Sequence, residues 1–131
     1  PAGLEASKGL VTTQFLKQPG DPAWANDDEV KAYKDFLKTY APSANPDDYS
    51  VLVAYMNVHA VEMALRKCGD DLTRENLIKQ ATSMKGERLP MMLPGVAIST
   101  RSEDYTPFRT LRIATFDGAS WNLTGEPLSA D

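Results

Sequence analysis

Residues 45–69 read NPDDYSVLVAYMNVHAVEMALRKCG and decide the architecture of this chain. Within them, the run from 51 to 65 is apolar on nearly every side and is interrupted only by Asn57, His59 and Glu62. A bilayer span needs about 20 mostly apolar residues, so this run is too short and too polar to cross a membrane. The stretch predicts a buried central helix.

Signals for both ends of this helix flank the apolar run. Asn45 is a candidate N-cap, and Pro46 follows it in the first turn, ahead of two aspartates at the positive end of the helix dipole. Arg66 and Lys67 lie at the C-terminal end, where positive charge is favourable, and Gly69 supplies a left-handed stop.

Two further helices are expected, one on each side. Before the central helix, apolar residues recur at helical spacing after the acidic cap at 26–28; they are Val30, Tyr33, Phe36, Leu37 and Tyr40. After it, Thr73 is the expected N-cap of a third helix, in which Leu72 packs against Leu77 as a hydrophobic staple. Gly86 is the expected end of that helix.

Strand signals lie at the two ends of the chain. Residues 9–16 form a β-prone run, and the proline-rich stretch after it is a loop that Trp24 anchors. Residues 89–95 are an apolar linker with two prolines, followed by a short strand at 96–100. Residues 111–116 pair as a hairpin with 121–123. One early strand and one hairpin cannot shield three helices, so the pattern indicates part of a larger α/β protein.

The residue inventory argues against an enzyme and against a cofactor. The 131 residues carry a net charge of −4 and no basic stripe, which makes nucleic acid a poor partner. One histidine and one cysteine rule out a histidine cluster, a thiolate zinc site and an internal disulfide. Cys68 is expected to be a small buried side chain. Paired aspartates precede helices, where capping explains them.

Several short motifs, in order along the chain, resemble one protein family. They are residues 1–10, 19–24, 55–60, 68–77, 89–95 and the hairpin from Phe116 to Trp121. Together they are similar to the C-terminal part of type I periplasmic solute-binding proteins of the Leu/Ile/Val family. The resemblance spans essentially the whole chain.

The resemblance implies a single partial α/β domain over residues 1–131. In that family two α/β lobes are joined by crossing strands and hold a ligand between them. Residues 1–16 would then hold a crossing strand, 17–88 the helical part of one lobe, and 89–131 the linker and strands toward the second lobe. The N-terminal portion, with the loops that grip the charged groups of an amino acid, would be missing.

Four site residues follow from the same resemblance. Tyr55 matches an aromatic position on the long helix that faces the cleft, although a core tyrosine is an equally good interpretation. Tyr49 and Asn57, on the same helix, and Phe15, at the end of the crossing strand, are the other candidate ligand contacts.

The implied function is capture of a small amino acid or related acid or amide by hinge closure, for the membrane permease of an ABC importer. The location would be periplasmic, or extracellular with a lipid anchor. The chain begins at Pro1 without a methionine, which fits both a mature protein with its signal peptide removed and an excised fragment, and the resemblance favours the fragment. Two alternatives remain open, a ligand-sensing domain of a receptor or regulator and an interaction module without a small ligand. A homodimer is also expected, in which two copies pair or exchange strands to cover exposed edges.

Overall fold

The computed structural model describes residues 3–129. In chain order its elements are strand β1 (Val11–Gln14), helices α1 (Asp28–Tyr40), α2 (Tyr49–Cys68) and α3 (Arg74–Ala81), and strands β2 (Thr110–Phe116) and β3 (Trp121–Ser129). Two short 3-10 turns lie at Glu5–Ser7 and Pro22–Trp24. This is the mixed α/β order that the sequence predicted, with a shorter first strand than residues 9–16.

Capping side chains set where the helices begin. Asp27 accepts hydrogen bonds from the backbone of Glu29 and Val30 at the start of α1, and Thr73 caps α3 as predicted. The prediction of Asn45 as the cap of α2 was wrong. Asp48 is the N-cap, since its carboxylate accepts the Ser50 N–H at 2.8 Å. Asn45 instead stabilises the preceding turn.

The predicted end of the third helix at Gly86 was also wrong, since α3 ends at Ala81. Beyond Ala81 the backbone forms hydrogen bonds with Ser99 and Thr100. The N–H of Met84 donates to the Thr100 hydroxyl at 3.1 Å, and the Met84 carbonyl accepts the Thr100 N–H at 3.0 Å. The Gly86 N–H donates to the Ser99 hydroxyl at 3.0 Å. These bonds replace helical ones and draw the chain away from the helix axis.

The hydrophobic core lies between α1, α2 and the segment 84–98. Its largest fully buried side chains are Val30, Tyr33, Leu52, Leu89, Met91, Met92 and Leu93. The proline-containing linker is therefore a core segment. The strand predicted at 96–100 is not formed; Ile98 makes only isolated bridges, to Glu87 and Phe108. Cys68 is buried as predicted, and its thiol donates to the Ala64 carbonyl at 3.2 Å.

One face of α2 departs from the predicted buried helix. Val58, Val61 and Leu65 are exposed there, whereas the opposite face buries residues such as Leu52 and Met56. Leu72 is exposed as well, so the predicted staple does not bury it. Among residues 3–129, no helix is long and apolar enough to cross a membrane.

The sheet is antiparallel, in the order β1-β2-β3. The β2–β3 hairpin forms as predicted, and β1 pairs with the other edge of β2, with Val11 opposite Thr115. Asp117 holds the hairpin turn by accepting the N–H groups of Ser120 and Ala119 and the side-chain amide of Asn122, and these bonds lower the pKa of Asp117 to about 2.

Candidate functional site

A groove lies between the N-terminus of α2 and the sheet. It consists of two adjoining cavities of about 310 and 360 Å³. Both cavities are lined by Gln18, Tyr49, Leu52 and Trp121. The first is also lined by Thr12, Thr13, Gln14, Phe15 and Leu16, and the second by Leu4, Pro19, Gly20, Asp21, Asp47, Asp48, Phe116 and Ala119. Cavities of this size are in the range that small-molecule sites occupy.

Four aromatic residues line the groove; one is Phe116, which ends β2, and the other three come from other parts of the chain. Tyr49 is the first residue of α2, directly after the Asp48 cap, and is 55% exposed. Phe15 directly follows β1, and its ring packs on Phe108 with centroids 4.4 Å apart. Trp121 begins β3. Each ring is therefore positioned by a helix cap or a strand end.

Asp21 fastens the hairpin to the loop that follows β1. Its side chain is almost fully buried, with one carboxylate oxygen accepting the Ala23 N–H at 2.8 Å and the other accepting the Trp121 N–H at 2.9 Å. The second bond joins positions 100 residues apart. Asp21 thus positions the residue that forms the sheet side of the groove.

The structure divides the four sequence-predicted site residues into two pairs. Tyr49 and Phe15 both line the groove. Tyr55 lies elsewhere, between α1 and α2, with its ring 5.0 Å from that of Tyr33 and 4.6 Å from that of His59. Asn57 is exposed and does not line either cavity of the groove.

Of the four residues that line both cavities, sequence reasoning named only Tyr49 as a site residue and missed Gln18, Leu52 and Trp121. Trp121 had a local signal, because it lies opposite Phe116 across the predicted hairpin. No local signal in the sequence predicted that Trp121 would lie near Tyr49, which is 72 positions earlier. Only the packing of the sheet against the end of α2 brings those two residues to one groove.

Beside the groove, two chain segments run antiparallel between the helices and the sheet. Leu16 forms a bridge with Met92, the Leu93 N–H donates to the Phe15 carbonyl at 2.9 Å, and the Lys17 N–H donates to the Met91 carbonyl at 2.8 Å. Residues 15–17 and 91–93 are therefore paired where the chain passes from one part of the molecule to the other.

A cluster of charges ties these two segments to α1. The buried Lys17 ammonium lies 2.6 Å from an Asp27 oxygen and 2.9 Å from a Glu29 oxygen, and it also lies 5.3 Å above the half-buried Trp24 ring. Glu29 also pairs with Arg88. Its hydrogen bond with Arg88, followed by those with Lys17, outweighs the effect of burial and lowers the pKa of Glu29 to about 2.

The lining of the groove is suited to contact with a small molecule. Its walls combine aromatic and aliphatic side chains with amides, hydroxyls and the carboxylates of Asp21, Asp47 and Asp48; among the described residues, no lysine, arginine or histidine lines either cavity. Within the described range 3–129, no cluster of three metal-binding side chains occurs. An apolar wall with a few polar groups is typical of a ligand-binding surface.

The chain belongs to the periplasmic binding protein family, whose family model matches residues 1–120. Its fold matches that of a branched-chain amino acid ABC transporter from Thermus thermophilus with bound valine, at 19% identity and a TM-score of 0.65. That match covers 96% of this chain and 35% of the Thermus chain, so this chain spans about a third of that protein's length. No curated protein sequence matches significantly.

Proposed function

We propose that this chain supplies one wall of the ligand cleft in an extracytoplasmic solute-binding protein. The observation that carries the proposal is the groove at the junction of two substructures, with Tyr49 on the helical side and Trp121 on the sheet side. A solute held there contacts both sides at once. The proposed cargo is a small amino acid or a related organic acid or amide, handed to the membrane permease of an ABC importer.

The proposed mechanism is hinge closure about the paired segments 15–17 and 91–93. A ligand shifts an open–closed equilibrium only by the contacts that it gains in the closed state. A groove whose walls come from two substructures provides such contacts, because relative rotation of the substructures changes the distance between Tyr49 and Trp121.

The lining also suggests which part of the solute this wall receives. Aromatic rings and Leu52 suit an apolar side chain, and Gln18 suits an uncharged polar group. Because no cationic side chain lines the groove, a ligand carboxylate would be bound by a different part of the complete cleft. Valine is the ligand named for the Thermus protein, and it heads the panel to be tested here.

The test is a titration of the isotopically labelled chain followed by amide chemical shifts. Valine, leucine, benzoate and acetamide would be added one at a time. We expect a shared set of shifts at Phe15, Gln18, Tyr49 and Trp121 from at least one compound. Tyr49→Ala should weaken that compound's binding about fivefold or more, since a ring contact contributes about 1 kcal/mol.

The matched control is Tyr55→Ala, which removes a tyrosine from the same helix but outside the groove. Its affinity for the compound should be unchanged while the protein stays folded. Shifts confined to the surroundings of Tyr55, or no shifts with any of the four compounds, would contradict the proposal that this groove is a solute-binding wall.

A further inference from the structure

Met91 has a backbone conformation that its residue type rarely adopts. Its φ is 68°, and it is the only residue other than glycine with a positive φ among residues 3–129. A residue with a Cβ is strained in this left-handed region, which glycine enters freely. A strained residue keeps such a conformation only where the surrounding structure holds it there. Met91 begins one of the paired segments at the junction, so the groups that hold it also hold the junction.

The Glu29 carboxylate holds the chain on both sides of Met91. Its Oε2 atom accepts the Met91 N–H at 3.2 Å. The same oxygen accepts the Arg88 Nη2 group at 2.9 Å, and that group also donates to the Met92 carbonyl at 3.1 Å. Glu29 therefore restrains the backbone before Met91 directly and the backbone after it through Arg88.

The same oxygen also holds the other paired segment. Glu29 Oε2 accepts the Lys17 ammonium at 2.9 Å, while the Lys17 backbone N–H donates to the Met91 carbonyl at 2.8 Å. Asp27 binds the Lys17 ammonium as well, but its other hydrogen bonds go to the backbone of Glu29 and Val30. Glu29 thus reaches both paired segments, whereas Asp27 reaches one of them.

Beyond Met91 the chain is attached to the sheet. Arg112 on β2 donates to the Pro94 carbonyl at 3.2 Å. Gly95 lies so close to β3 that a Cβ at this position would be 2.8 Å from Pro127 Cγ. Met91 therefore separates a part of the chain that is held by α1 from a part that is held by the sheet. A change in its φ would turn the sheet relative to the helices, and hinge residues are those that absorb such changes.

We propose that Met91 is the pivot of the hinge and that Glu29 is the positioning residue that keeps Met91 left-handed. This role rests on the hinge closure proposed above, and it identifies the residues that control that motion. While Glu29 holds both paired segments, the sheet keeps one orientation relative to the helices. When this hold is lost, φ at Met91 relaxes to a negative value, and the distance across the groove between Tyr49 and Trp121 changes.

The first test compares Met91→Gly with Met91→Ala by urea unfolding. Both variants lose the same buried thioether side chain, so the difference between them reports mainly the backbone at position 91. Glycine enters the left-handed region without strain, although it loses more freedom on folding than alanine does. With Glu29 present, the equilibrium constant for folding should be about two- to fivefold larger for Met91→Gly than for Met91→Ala.

The second test repeats this comparison in Glu29→Gln. Glutamine offers one oxygen to donors that now share two, so position 91 should leave the left-handed region and the advantage of glycine over alanine should disappear. A purely structural role for Glu29 would lower the stability of both variants equally and leave that advantage unchanged. Asp27→Asn is the control, in which the advantage should remain. Glu29→Asp, with a side chain one methylene shorter, serves the same purpose if Glu29→Gln does not fold.

The third test asks whether Met91 moves together with the groove. NMR relaxation dispersion detects exchange between conformations on the microsecond-to-millisecond timescale, which is that of hinge motion. In Glu29→Gln the amides of Met91 and Trp121 should exchange at one common rate, because both report the same rotation. The amide of Met56, in the buried middle of α2, should show no such exchange.

Three results overturn the proposal. Equal stability of Met91→Gly and Met91→Ala with Glu29 intact would mean that position 91 is not held left-handed. An advantage of glycine that survives Glu29→Gln would mean that another group holds it. Exchange at Met91 without exchange at Trp121 would confine the strain to one segment and exclude the pivot. None of these measurements uses a solute, so failure of all four compounds to bind the groove would leave their outcomes unchanged.

Discussion

The helical part of the molecule, residues 28–98, and the sheet part, strands β1, β2 and β3, are stabilised in different ways. The helical part contains nearly all of the fully buried side chains, including the continuous segment Met91–Leu93. In the sheet only Ala114 is fully buried, and residues such as Val11 and Leu128 are exposed. The helical part thus has a core of its own, whereas the sheet depends on hydrogen bonds and on its attachments to that core.

The difference shows how one family fold can distribute its stability. A three-stranded sheet needs a packed face or a covering helix for independent stability. Here its attachments are the paired segments 15–17 and 91–93 and the Asp21 carboxylate. The groove lies at this junction, between the helical core and the sheet.

The largest effect should come from a matched pair of leucines. Leu93→Ala removes a fully buried side chain and should lower the free energy of unfolding by about 2–5 kcal/mol. Leu128→Ala, at a half-exposed position on β3, should lower it by about 0.5–1 kcal/mol. Urea unfolding followed by circular dichroism measures both. Similar costs for the two variants would show that helices and sheet share one cooperative core.

A smaller effect is expected from pH, through Glu29 at the junction. Its pKa falls from 4.5 to about 2 on folding, so the stability that it contributes is complete above about pH 5 and is lost as the pH falls toward 2. Allowing for solvent screening of this partly exposed group, the loss is about 1–2 kcal/mol. Urea unfolding between pH 6 and pH 2.5 should show it, and Glu29→Gln should flatten that dependence.

Glu103→Gln is the control for this titration. Glu103 is exposed in a loop. The hydrogen bond from the Ser102 hydroxyl lowers its pKa, and no other side chain forms a hydrogen bond that shifts it. The variant should keep the acid-dependent loss of the unmodified chain. An unchanged pH profile in Glu29→Gln would mean that the charge cluster does not stabilise the junction.

The smallest effect should be a local one at Asp21. Asp21→Asn leaves one side-chain oxygen for two N–H donors, so the Trp121 N–H loses its partner and its hydrogen exchange should become about five- to tenfold faster. Amide protection in α2 should not change. Equal acceleration at Trp121 and in the core of α2 would indicate that Asp21 supports the whole fold, and the proposed difference between the two parts would not hold.

Most of the elements followed from local sequence signals. The spacing of Val30, Tyr33 and Leu37 predicted α1, and the Thr73 cap predicted the start of α3, because both signals act within a few residues. The strand predicted at 96–100 failed for the converse reason. Ile98 forms only isolated bridges, to Glu87 and Phe108. Whether a β-prone segment becomes a strand depends on the neighbouring segments that are available to pair with it.

The four predicted ligand contacts stay predictions, and the structure places two of them at the groove. Phe15 and Tyr49 were named from the resemblance and both line the groove, whereas Tyr55 packs against Tyr33 between the helices. A period of 3.6 residues places Tyr55 on a face of α2 but does not say which neighbour covers that face. Trp121 was missed because its approach to Tyr49 depends on contacts between distant parts of the chain.

The sequence by itself determined the family, the order of the elements and most helix caps, because these depend on composition, periodicity and side chains within one turn of each other. Tertiary structure alone decided which face of α2 is exposed, that β1 completes the sheet, and that Asp21 holds Trp121 beside Tyr49. Those features come from contacts between residues about 100 positions apart, such as Asp21 with Trp121 and Val11 with Thr115. No local pattern encodes such contacts, since the free energy that selects them is gained only when distant elements pack together.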